Sequence, residues 1–264
     1  MNVGRYVRAS KIVAKYIVNK TFKGTSIKKA PIFILGCGHS GTSIILRVIG
    51  QHPNIYAVKH ESRMAMGGKS RFRKYERKFN ITAVSEERIR WIEKTPRHIR
   101  NIEKILRWSP KSKIILVIRD GRDVACSMKK RYGDIKTGVE RWVRDNEEGQ
   151  KYWEHERVLL TKYEDFVRIT KKEVKKYMKF IDENFHTNLL KYHESEENFY
   201  SDEVKKPENV SENHEKYRNW QINQSIFDGS GRWKNEMSNQ DKKVVKEIVG
   251  DKLIEYGYAE GYKW

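Results

Sequence analysis

No aspartate or glutamate occurs in the first sixty residues; the first side-chain carboxylate is Glu61. That stretch carries ten lysines and arginines, and the 264-residue chain as a whole has 55 basic against 35 acidic side chains, a net charge of +20. A surface so short of negative charge attracts polyanions: nucleic acid, anionic lipid, or phosphorylated and sulfated small molecules. Cysteine is nearly absent too. Cys37 and Cys126 cannot build a disulfide framework or a zinc site, which makes a reducing compartment the default. Long hydrophobic runs are missing: the apolar stretch at 114–118 falls far short of the roughly 20 residues a membrane span needs. No apolar signal-peptide core with a small-residue cleavage site is visible either. The expectation is a cytoplasmic protein, soluble or peripheral to a membrane. What is present argues for a packed domain, since 11% of residues are aromatic and seven are tryptophan, more than a disordered chain carries.

Residues 1–29 read as a basic amphipathic arm, with Val3, Val7, Ile12, Val13 and Ile17 set among Arg5, Arg8, Lys11 and Lys15. Such an arm either packs as a helix on the domain edge or touches an anionic membrane. From Pro31 the pattern changes. Residues 31–35 form a short apolar run stopped by Gly36, as in a buried parallel strand. Ile44, Ile45, Val48 and Ile49 then repeat at helical spacing until His52-Pro53. Residues 89–94 read as a second strand, followed by a helix opening at Thr95-Pro96. Residues 113–118 are the clearest strand, ended by Arg119-Asp120-Gly121, and 157–161 is a fourth. Helical patterns fill the intervals, and the segment from Asn239 to Tyr256 closes the chain as another helix. Alternating strands and helices predict one α/β domain over residues 30–264, a central parallel sheet covered on both faces. Residues 193–231 hold few aliphatic side chains and read as a long loop or a lid over a ligand.

The turn Gly36-Cys37-Gly38-His39-Ser40-Gly41-Thr42-Ser43 joins a strand to a helix. Backbone N–H groups and the helix N-terminus converge there, which suits a phosphate. The spacing is that of a Walker A loop, except that Thr42 stands where the nucleotide-gripping lysine belongs. Asp120 could pass for the magnesium-binding acid on a second strand, but Arg119 beside it opposes a divalent cation. A P-loop kinase or ATPase is therefore a weaker reading than a phosphate site without metal-assisted hydrolysis. A non-enzymatic polyanion binder is a third reading, although no RNA- or DNA-binding motif is apparent.

Four segments in order resemble the sulfotransferase family. Gly38-His39-Ser40-Gly41-Thr42-Ser43 resembles its 5′-phosphosulfate loop, and Arg119 through Ser127 its Arg-x-x-x-Asp-x-x-x-Ser 3′-phosphate motif. Tyr163-Glu164-Asp165-Phe166 resembles its Tyr-Glu-Asp-Leu segment, and Gly231-Arg232-Trp233-Lys234 its late Gly-x-Trp segment. The resemblance implies a P-loop-like sheet and 3′-phosphoadenosine 5′-phosphosulfate (PAPS) as sulfuryl donor, with 3′-phosphoadenosine 5′-phosphate (PAP) as product and no metal required. It assigns the 5′ end to residues 38–43 and the 3′ phosphate to Arg119 and Ser127, with Tyr163, Arg232 and Trp233 also around the nucleotide.

In-line sulfuryl transfer needs a base on the acceptor hydroxyl and positive charge at the leaving phosphate oxygen. His39 stands where the family usually has lysine or arginine, and is charged only part of the time near neutral pH. Lys94, in Glu93-Lys94-Thr95-Pro96, is similar to the Lys-x-Pro segment of the tyrosyl-protein type and would be the main stabiliser of the leaving group. That type takes its base from a Glu-x-Arg segment, which Glu61-Ser62-Arg63 resembles. Glu61 is thus the expected base, His60 its rival, and Arg63 an acceptor-side residue. Residues 67–78, rich in lysine and arginine, read as a basic loop that could wall an acceptor cleft. The acceptor would be a hydroxyl on a glycan, a tyrosyl peptide or a small metabolite, with an anionic molecule favoured by that charge.

Overall fold

The computed structural model describes residues 27–208 and 213–264. Most of the basic arm expected over 1–29 therefore lies outside the described residues. Five strands form one sheet: β1 (Ile32–Gly36), β2 (Ile55–Ala57), β3 (Arg90–Lys94), β4 (Lys113–Ile118) and β5 (Val158–Lys162). Their spatial order is β2-β3-β1-β4-β5, and every pairing is parallel. Ile32 lies beside Ile92 on one flank of β1, and Ile34 beside Ile115 on the other. The helices are α1 (Thr42–Ile49), α2 (Lys69–Ser85), α3 (Ile102–Trp108), α4 (Gly121–Tyr132), α5 (Ile135–Gln150), α6 (Tyr163–Arg168), α7 (Thr170–Phe180), α8 (His214–Gln221), α9 (Trp233–Glu236) and α10 (Asn239–Glu255).

Both faces of the sheet are covered, and the strand sequences show why. Along β1, Ile32 and Ile34 enter a core with α1 and α7, whereas Phe33 and Leu35 enter a second core with α2, α3 and Trp91. With apolar partners on each side, the strand reads as an unbroken hydrophobic run. A third core gathers Cys37, Ile118, Trp142 and the inner face of α10. The α/β single-domain expectation holds, with the four expected strands in place and the three-residue β2 added at the edge.

Two other segments differ from the expectation. Residues 69–78 are not a loop but the first turns of α2, anchored by buried Phe72 and Phe79 while Lys69, Arg73, Lys74, Arg77 and Lys78 stay exposed. The stretch 193–231 is not loop throughout. It contains α8, tied down by the buried Asn219 amide, which accepts from the N–H groups of Phe199 (2.8 Å) and Tyr200 (3.2 Å). That anchoring brings α8 over the carboxyl ends of the strands, where open α/β sheets bind ligands.

Candidate active site

At the carboxyl ends of β1, β3 and β4 lies a cleft of about 400 Å³. Its first wall is the turn after β1. His39 and Gly41 both hold left-handed backbone, at φ +69° and +86°. A side chain at 41 would also run into the Tyr163 ring, so the position requires glycine. Gly41 provides no side-chain cap for α1, which leaves the helix's first N–H groups without an internal partner. Gly38, His39, Gly41, Thr42 and Ser43 line the cleft. Ser40 is fully buried beneath it, and its hydroxyl has no hydrogen-bond partner among the described residues.

A second wall forms where β4 meets α4. Arg119 donates to the Gly229 carbonyl (2.7 Å) and the His39 carbonyl (3.3 Å), and its guanidinium lies 4.1 Å from the centre of the Tyr163 ring. Ser127, on α4, accepts a hydrogen bond from Arg232. Asp123 draws the late segment in, accepting from the N–H groups of Gly231 (2.8 Å) and Trp233 (3.0 Å). Arg119, Ser127, Tyr163 and Arg232 all face the cleft. The Nε atoms of Arg119 and Arg232 are buried without a hydrogen-bond partner among the described residues, although Arg232 Nε lies 3.6 Å from Glu236 Oε2. Trp233 is the exception. Its side chain is in the third core, 4.0 Å below the Arg122 guanidinium and against Trp264. It supports the wall from behind and does not line the cleft.

The reactive centre sits where β3 ends. Glu93 is fully buried and accepts from the Ser62 N–H (3.1 Å), the Ser62 hydroxyl (2.8 Å) and the Thr95 hydroxyl (2.5 Å). It thereby fixes Glu61 and Lys94, the sequence neighbours of these partners. Lys94 donates to Glu61 Oε1 at 2.8 Å, and Arg218 of α8 donates to the same oxygen at 2.8 Å. Burial alone would raise the Glu61 pKa, but the two cations outweigh it and hold the carboxyl at about 2. Tyr200 backs both cations: its ring centre is 3.6 Å from the Arg218 guanidinium and 4.7 Å from Lys94 Nζ. Its hydroxyl reaches Ser43 Oγ at 3.3 Å.

His39 is the loop residue whose charge differs most from the family habit. Burial, then His214 and the nearby Arg131, Arg141 and Arg232, push its pKa down to about 3. The His214 ring stands edge-on to it at 5.6 Å and is itself lowered to about 4 by burial, Arg131 and Arg218. Both imidazoles are neutral at physiological pH. Arg63 is exposed at the rim of the cleft. His60 points elsewhere, exposed with its ring edge-on to Phe79 at 6.0 Å, and does not line the cleft. The structure thus brings Glu61 and Lys94 together and separates His60 from them.

Nine arginines and lysines line the cleft against two carboxylates, Glu61 and Glu215. Sequence reasoning passed over several of these cations, including Arg97, Arg131, Arg141 and above all Arg218. The match of a family model fits this geometry: the model described as "Sulfotransferase domain" covers residues 29–257. The chain belongs to the sulfotransferase family. Solved sulfotransferases share its fold at low sequence identity. The sulfotransferase domain from the curacin biosynthetic pathway aligns with a TM-score of 0.56 at 17% identity, covering 86% of this chain and 98% of that one. Mouse sulfotransferase SULT7A1, solved in complex with PAP, aligns with a TM-score of 0.57 at 18% identity, covering 89% and 88%. The corresponding domain of the Synechococcus PCC 7002 olefin synthase gives 0.53 at 17%, covering 85% and 97%. Curated protein sequences give no significant match. Membership of the sulfotransferase family makes sulfuryl transfer the reaction class and leaves the ATPase and polyanion-binder readings unsupported. No helix among the described residues of this sulfotransferase is long and apolar enough to cross a membrane.

Proposed function

We propose that the protein transfers the sulfuryl group of PAPS to an acceptor hydroxyl, with Glu61 as general base. One observation carries the reading: the buried donors without a hydrogen-bond partner among the described residues include one group at the turn after β1, Ser40 Oγ, and one beside α4, Arg119 Nε. Unpaired buried donors are costly unless an acceptor meets them. A nucleotide with a 5′ and a 3′ anion would supply one at each group.

In this reading residues 38–43 hold the 5′ end through backbone N–H groups and hydroxyls, and Arg119, Ser127 and Arg232 hold the 3′ phosphate. Tyr163 shapes the space between them. When bound, PAPS supplies the sulfuryl group and a phosphate leaving group. Glu61 takes the acceptor's proton as the new oxygen–sulfur bond forms. Lys94 neutralises the charge released on the phosphate oxygen as the old bond breaks. His39, being neutral, contributes a hydrogen bond there rather than charge. On the acceptor side, the exposed Arg63 and Arg97 favour a hydroxyl carried by an anionic molecule, whether a glycan, a tyrosyl peptide or a small metabolite.

The test is thermal stabilisation by PAP, since a ligand that binds the native state alone raises the melting temperature. PAP should stabilise strongly and AMP weakly. Equal shifts for both would reject the 3′-phosphate assignment, and no shift with PAP would reject the reading. Radiolabelled PAPS with a panel of hydroxyl acceptors then identifies the acceptor.

A further inference from the structure

Lys94 has two demands on it. In the structure its ammonium, side chain fully buried, is paired with Glu61 at 2.8 Å. In sulfuryl transfer a cation is also required at the leaving phosphate. The turn after β1 provides none of its own, because Thr42 stands where a Walker A loop has its lysine and the half-buried His39 is neutral. If Lys94 served the phosphate and nothing else met Glu61, a largely buried carboxylate would be stranded. Burial would then favour its protonated form, which cannot act as a base.

Arg218 resolves the conflict. It approaches Glu61 Oε1 from α8, on the side opposite in sequence to everything else in the reactive centre, at 2.8 Å. Its hold does not depend on Lys94: the guanidinium is stacked on Tyr200 at 3.6 Å, and α8 is anchored through Asn219 to the backbone of residues 199 and 200. Its Nε is buried without a partner among the described residues. The charged groups acting on Glu61 are Lys94 from β3 and Arg218 from α8, with His214 of α8 beside them, while Arg63 of its own segment and Glu215 of α8 line the cleft. Of these, His214 is neutral and Arg63 is solvated, so Arg218 is the cation able to stay.

We propose that Arg218 is a positioning residue of the transfer: it remains on Glu61 when Lys94 turns to the leaving phosphate. The acceptor proton then passes to a carboxylate that is still charged and fixed in place. Sulfur is handed from the phosphate oxygen to the acceptor oxygen, and the released electron pair is met by Lys94. The inference rests on the PAPS reading above, and its failure is separable from the failure of that reading.

The experiment follows the Glu61 carboxyl carbon by NMR through an acid titration, with and without PAP, the resonance being assigned through E61Q. In the wild type the carboxyl should remain ionised well below the usual carboxylate range in both states. In Arg218→Met, PAP should raise the Glu61 pKa by about one unit or more, because Lys94 is drawn off and no second cation remains. Arg218→Lys should restore most of the difference. With PAPS and an active acceptor, Arg218→Met should lose about 100-fold in kcat with the acceptor KM within about threefold. Melting temperature and PAP stabilisation check that the variants fold. Identical Glu61 titrations in PAP-bound wild type and Arg218→Met would overturn the proposal, as would a loss confined to KM. Failure of PAP to stabilise the wild type would instead overturn the PAPS reading.

Discussion

The Arg119 guanidinium rests 4.1 Å from the centre of the Tyr163 ring while holding the Gly229 carbonyl at 2.7 Å. One arginine at the tip of β4 thus joins the turn after β1, the start of α6 and the segment leading to α9. Its remaining buried donor, Nε, is the one with no protein partner among the described residues.

Arg119→Met should therefore weaken PAP far more than AMP. Hydrogen bonds to charged groups are worth about 1.5–3 kcal/mol, so calorimetry should find PAP affinity down by roughly tenfold to a hundredfold. AMP affinity should change little. Equal losses for the two nucleotides would mean that Arg119 shapes the pocket without contacting the 3′ phosphate.

Glu61→Gln should fold, keep its stabilisation by PAP and lose about 10²–10⁴ in turnover, the range of general-base catalysis. The same residue carries a pH signature. Its folded pKa of about 2 lies below the ordinary 4.5. The pairing with Lys94 and Arg218 thus stabilises the fold fully above pH 4.5, and that contribution is lost as pH falls toward 2. Melting temperatures of wild type and Glu61→Gln should converge across this window. Retained turnover in the variant would remove Glu61 from the chemistry.

Gly41→Ala tests the turn itself. An alanine at φ +86° is strained, by about 1–3 kcal/mol for a non-glycine residue in left-handed backbone, and its methyl group must displace Tyr163. Chemical denaturation should show that loss of stability, together with loss of PAP binding. Full PAP affinity in a stable Gly41→Ala protein would show that the turn does not hold the 5′ end.

How far these features were legible in the sequence depends on what each is packed against. β1 and β4 announce themselves because both of their faces are buried, which forces successive residues to be apolar. β2 is three residues at the sheet edge and leaves too short a pattern to detect. α2 hides for another reason: Phe72, Phe79 and Ala83 make a thin apolar stripe that the surrounding lysines and arginines mask. Gly38 and Arg119 stand at the cleft, with Ser40 beneath it, where a local turn and a strand tip put them, and such local patterns can be read from sequence. Trp233 looked like a nucleotide contact because it stands in a segment resembling the family's Gly-x-Trp motif, yet the indole packs inward under Arg122 while its neighbour Arg232 faces the cleft. Arg218 left no local trace. Its partner Glu61 is 157 positions away, and α8 is polar around most of its circumference.

Asp123 accepts from Gly231 and Trp233, more than a hundred positions downstream. The β4–α4 corner that carries Arg119 and Ser127 therefore completes its wall with Arg232 only after the segment around residues 231–233 has been made. A nascent chain with β5 just formed still lacks Arg232 and so has only part of this wall. Under the proposed reading, the site for the 3′ phosphate is whole only once that downstream segment has docked on the β4–α4 corner.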